Sequence, residues 1–153
     1  MDDFNFLANK SWIVNNYLLR ERIYEVEKWD EFEARLSDFQ FILGGLGNID
    51  KFKGVRNGVS FEASSLRLFN EKEQLWSIYW IDNLSQKLIP QVTGAFKKGR
   101  GEFFGEELYQ GKTYKLRFLW TGISEYSARW EQAYFIESLQ KWKTNWIMEF
   151  KAE

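Results

Sequence analysis

The sequence predicts an all-β fold, a single closed antiparallel up-and-down barrel of roughly ten strands with a short N-terminal helix. Three observations carry that prediction. Large and polar residues alternate over long runs, most plainly where Trp142, Thr144, Trp146, Met148 and Phe150 are interleaved with Lys143, Asn145, Glu149 and Lys151. A period of two is the mark of a strand with one buried and one wet face. The runs are separated by tight turn sequences such as Asn57-Gly58, a strong two-residue hairpin signal. Aromatic residues make up 19% of the chain, with 8 Trp, 11 Gly and 1 Pro. Aromatics favour strands, glycine makes turns, and proline would interrupt ladders.

In chain order, residues 2–9 read as a short helical turn, capped by Asp2 or Asp3, with Phe4, Phe6 and Leu7 on its apolar side. The first strand starts at Trp12 and runs through Val14 towards Leu19, after which Arg20-Glu21-Arg22 leads into a polar connection. Residues 29–41 fit two patterns. Trp29, Phe32, Leu36 and Phe39 make a helical stripe, while Phe32, Ala34 and Leu36 alternate as a strand would. The turn chemistry of Gly44-Gly45-Leu46-Gly47-Asn48 that follows favours the strand. That glycine loop is no phosphate cradle, since it lacks the Gly-Lys-Ser/Thr ending and no helix follows it.

Residues 49–55 and 59–69 flank Asn57-Gly58, and 75–81 form the clearest central strand. Residues 92–96 and 101–108 surround the Lys97-Lys98-Gly99-Arg100 turn, and Gln110-Gly111-Lys112 makes the next hairpin. The runs around 116–120, 128–134 and 142–150 complete the chain. There is no repeat, linker or low-complexity stretch, so residues 1–153 read as one domain, long enough to bury a substantial core.

Several stretches resemble an uncharacterised bacterial family of lipocalin-like (calycin) barrels, a domain of unknown function. They are Leu43-Gly44-Gly45-Leu46-Gly47-Asn48, Ser65-Leu66-Arg67-Leu68-Phe69, Trp76-Ser77-Ile78-Tyr79-Trp80 and Ser127-Ala128-Arg129-Trp130-Glu131-Gln132-Ala133, with Thr144-Asn145-Trp146-Ile147-Met148 at the end. The resemblance implies a barrel and brings no activity. Two departures stand out. Calycins often carry Gly-x-Trp at the first strand, the Trp plugging the barrel base; here Lys10-Ser11-Trp12 stands there, so only the Trp carries over. The family's last hairpin commonly reads Asp-Gly-Gly, where this chain has Ser138-Leu139-Gln140-Lys141. Related haem-binding barrels use a His ligand, which this chain lacks.

Composition closes off much chemistry. With no histidine and no cysteine, there is no Ser-His or Cys-His nucleophile pair, no His- or Cys-ligated metal and no disulfide. Carboxylate, Lys and Tyr remain for proton transfer, and no metal or cofactor is expected. The absence of cysteine fits a reducing cytoplasm. A net charge of −1 gives no reason to expect nucleic acid. No apolar run is long enough for a spanning helix and no signal peptide is apparent, so no membrane partner is expected. Asp2-Asp3, Asp30-Glu31 and Glu106-Glu107 are adjacent acids. Neighbours in a strand point to opposite faces, so they form no dyad. The Lys97-Lys98-Gly99-Arg100 tip has the charge to touch phosphate, but a basic hairpin tip more often serves solubility or edge protection.

Strand pairing places the candidate site. With Phe135 opposite Trp142 and a straight ladder, Glu131 faces Trp146 and Arg129 faces Met148. Both charges then fall inside the barrel if Trp146, Met148 and Phe150 do. With Phe69 opposite Trp76, Arg67 joins the face of Ile78 and Trp80. Arg67, Arg129 and Glu131 among Trp76, Trp80, Trp120 and Trp146 would make an apolar pocket with a few orienting polar groups. The opposite register would put Arg117, Gln132 and Asn145 inside instead, and core filling is the default reading of any single aromatic. The leading expectation is a binder of a small apolar or aromatic ligand bearing an anionic group, which Arg67 or Arg129 would meet. An isomerase, cyclase or hydrolase with Glu131 as general base is the alternative. A structural module without ligand is the third, in which surplus outward aromatics would form a homodimer face.

Overall fold

A computed structural model describes residues 1–23 and 27–153, the side chain of Pro90 excepted. The ten strands are β1 (Trp12–Leu19), β2 (Trp29–Ile42), β3 (Gly47–Arg56), β4 (Val59–Asn70) and β5 (Leu75–Asp82), followed by β6 (Leu88–Lys97), β7 (Arg100–Tyr109), β8 (Lys112–Thr121), β9 (Ser127–Ile136) and β10 (Lys141–Ala152). Each pairs antiparallel with its neighbours in sequence, and β1 closes the ring on β10, with Trp12 opposite Ala152 and Leu18 opposite Trp146. Residues 29–42 are strand, not helix. The polar connection expected after Arg22 lies partly outside the described residues.

Three hairpin turns have positive φ at both central residues, Asn57-Gly58, Lys98-Gly99 and Gln110-Gly111. This is the turn whose twist matches that of paired strands, and glycine takes its second position at no steric cost. The last hairpin, which lacks the Asp-Gly-Gly sequence, turns through Glu137–Leu139 with Gln140 in the left-handed region.

The helical expectation at the N-terminus shrinks to one 3-10 turn, Asn5–Leu7. No aspartate side chain caps it; Phe4 holds that position, and Asp3 instead accepts a hydrogen bond from Trp76 Nε1 at 2.9 Å. The turn closes one end of the barrel. Phe4 and Leu7 are fully buried, and Phe4 packs edge-on against Trp76 and Phe96 at 4.9 and 5.1 Å between ring centres. Trp12 is also fully buried there, against Phe6 and Phe150.

Among the described residues, straight ladders are interrupted in three places. Between β9 and β10, Thr144 pairs with Ala133 but Trp146 pairs with Gln132, so Asn145 is an extra residue in β10. Breaks also occur in the β2–β3 ladder, beside Asp38 (φ 53°), and in the β5–β6 ladder, at the chain's one proline. A bulge of one residue reverses which face every later side chain occupies.

Candidate functional site

The strands enclose a cavity of about 670 Å³. Its walls come from inward positions of successive strands, among them Phe52, Trp80, Phe118, Trp120, Trp130 and Trp146. Trp146 packs edge-on against both Trp130 and Trp80, at 5.3 and 6.0 Å. The mouth lies at the end opposite Phe4, where Val59 and Leu84 both line the cavity and are more than half exposed.

The floor is polar. Arg67 and Asp50 line it and are buried, with side chains 3% and 1% exposed. Arg67 Nη2 lies 2.7 Å from Asp50 Oδ2, Nη1 donates to Asn48 Oδ1 at 3.0 Å, and the guanidinium covers the Phe4 ring at 4.9 Å. Asp50 Oδ1 accepts from the Ser65 backbone N–H at 3.2 Å. Asp50 is thereby held on both oxygens, Oδ2 by the Arg67 ion pair and Oδ1 by the Ser65 N–H.

Neutral polar groups sit midway up. Gln132 lines the cavity and donates to Asn145 Oδ1 at 2.9 Å, while Trp146 Nε1 donates to Asn16 Oδ1 at 3.0 Å. At the mouth, Arg22 donates to the Tyr134 hydroxyl at 2.9 Å, and that hydroxyl donates to Glu107 at 2.5 Å. Burial pushes the Tyr134 hydroxyl above the ordinary tyrosine range; Arg22 opposes the shift, and Glu107 adds to it. Asp30 accepts from Arg20 at 2.5 Å and from Arg56 at 3.2 Å. Chiefly through the Arg20 bond, its carboxyl is held below the usual carboxylate range, against the opposing effect of burial. Burial raises the Asp82 carboxyl too, but hydrogen bonds from Ser85, Trp80 and Leu84 outweigh it and leave it lowered.

The structure therefore sorts the residues singled out in the sequence. Arg67, Trp80, Trp120 and Trp146 line the cavity, as does Gln132, with Asn145 bonded behind it. Trp76 faces inward but below the floor, as part of the plug under Phe4, and does not reach the cavity. Arg129 and Glu131 do not face inward. The Asn145 bulge puts Ile147 opposite Glu131 and Glu149 opposite Arg129. Arg129 bridges Glu131 and Glu149 on the outer surface, at 3.5 and 3.0 Å. Arg117 also faces out, its guanidinium 5.0 Å from the centre of the Trp142 ring.

Sequence reasoning missed Asp50, Arg22, Arg56 and Glu107. Asp50 had a signal: Asn48, Asp50 and Phe52 alternate with Lys51 and Lys53, and lysines that face water turn their neighbours inward. The mouth residues had none, because their partners lie on distant strands. No protein-family model matches the chain, and no curated protein matches it. The closed antiparallel barrel agrees with the lipocalin-like resemblance at the level of fold, and no match supports the particular bacterial family.

Proposed function

We propose that the barrel binds a small, uncharged, largely apolar or aromatic molecule in its interior. The observation that carries this reading is the cavity of about 670 Å³ walled by indole and phenyl rings, within the size and composition range of small-molecule sites. Charge balance argues for a neutral ligand in place of the anionic one expected from sequence. Arg22 lies 3.9 Å from Glu107, Arg56 3.2 Å from Asp30 and Arg67 2.7 Å from Asp50. Each wall arginine already has its counter-charge, so an anion entering here would meet a carboxylate with every guanidinium. A buried charge without its own partner is costly.

The catalytic alternative needed Glu131 in the cavity, and Glu131 lies outside it, so binding without chemistry is the reading retained. A cytoplasmic location suits a chain without cysteine. Native mass spectrometry of the protein purified from its own source tests the proposal. The expected result is an added small-molecule mass that organic extraction removes. A bare chain mass, together with tryptophan emission that no apolar compound alters, would overturn it.

A further inference from the structure

Building on the binding reading, we infer that the cavity wall recognises a secondary amide, so that the ligand carries an N–H met by Gln132 and a carbonyl oxygen met by Trp130. Both residues belong to β9, two positions apart, and both line the cavity. Gln132 gives its Nε2 to Asn145 Oδ1 at 2.9 Å, which holds the side chain in place. Its acceptor Oε1 and the donor Nε1 of Trp130 make no hydrogen bond with the described residues. Neither atom is sealed in, unlike Asn145 Nδ2 behind them. The two residues are only 5% and 6% exposed, so what stays open on them faces the cavity. A ligand that fills the cavity excludes water from both atoms. It must replace those hydrogen bonds or leave them unmet, which is costly.

The spacing points to the group. Residues two apart on a strand leave the same face roughly 6.6 Å from each other. A trans secondary amide turns its N–H and C=O in opposite directions, so it spans two partners set along a line. A hydroxyl donates and accepts through one oxygen and meets partners at a single point. A ketone, an ester or a tertiary amide satisfies Trp130 and leaves Gln132 Oε1 unmet. The amide is also neutral, as the paired charges of the wall require. Phe118 and Trp146, with ring centres 4.9 and 5.3 Å from that of Trp130, suit the hydrocarbon on either side of it.

Three optically silent compounds separate these cases: N-methyldecanamide, N,N-dimethyldecanamide and methyl decanoate. They are titrated against the emission of the four tryptophans that line the cavity. The secondary amide is expected to bind about tenfold tighter than the tertiary one, the change one net hydrogen bond makes. Equal affinities for the two amides, or a response to the ester and to neither amide, would overturn the inference and leave the cavity reading intact. Silence from all three would overturn both. Gln132→Met should bring the two amides to equal affinity, and Trp130→Phe should weaken both together. A preference that persists in Gln132→Met, or amide affinities unmoved in Trp130→Phe, would also overturn the inference. The wild-type series decides the matter if a variant does not fold.

Discussion

Arg67 and Arg129 each sit beside an acid in a strand-rich barrel, yet water reaches only one of the pairs. The Arg67–Asp50 side chains are 3% and 1% exposed, the Arg129–Glu131 side chains 39% and 20%. Removing one member of a buried pair strands the other charge in a poor solvent for it, which costs about 3–5 kcal/mol, whereas an exposed pair is worth under about 1 kcal/mol. Asp50→Ala should therefore lower the urea midpoint far more than Glu131→Ala. Comparable losses would mean that the assignment of inside and outside is wrong. Asp30 adds a dependence on pH. Its folded carboxyl is held low by Arg20 and Arg56, so the stability it contributes is complete above the unfolded value of about 3.9 and disappears as pH falls through the folded value. Asp30→Asn should reduce the urea midpoint at neutral pH. That gap should close as pH falls below the unfolded value and the wild-type carboxylate becomes protonated. A gap independent of pH would assign the loss to packing.

The elements were largely legible from alternation and turns, including residues 29–42, where helix and strand competed. What was not legible was the phase of one strand against its neighbour. In β9, Arg129 and Glu131 alternate with Trp130 and Gln132, which by itself points the charges outward. In β10, Trp146, Met148 and Phe150 ask to be inward. A straight ladder from the Phe135–Trp142 pair cannot satisfy both, and Asn145 resolves the conflict as an extra residue. Two amphipathic strands that disagree by one residue are thus a readable sign of a bulge. Between β6 and β7 another local feature sets the spacing. A Cβ on Gly94 would lie 1.8 Å from the Glu102 carbonyl oxygen, whereas one on Gly58 would meet nothing within 4 Å and suffer only from its positive φ. Gly94→Ala should cost about 3 kcal/mol or more, as severe overpacking does, and Gly58→Ala about 1 kcal/mol. Thermal melts of the two variants check the order, and equal shifts would show that Gly94 does not hold these strands together.

At the scale of the whole molecule, the sequence supplied the ring of aromatic walls but not the balance of charges on it. The three arginine–carboxylate pairs at floor and mouth join residues that are 17, 26 and 85 positions apart. Period-two patterning relates neighbours along a strand and is silent about such pairs. The volume of the cavity was likewise hidden, since large rings can fill a barrel as readily as line one, and only their packing angles decide which.

Closure of the ring has a kinetic side. Nine of the ten seams join strands that follow one another along the chain, and the tenth joins the first strand to the last. Local hairpins can zip in any order, but that final seam waits for both ends to be in place, and non-local pairing is slow. Until it forms, β1 and β10 each offer an unpaired ladder edge in a chain rich in strand-forming rings, and such edges recruit other chains. The same barrel that has no edge once folded is therefore exposed to self-association during the interval before its two ends meet.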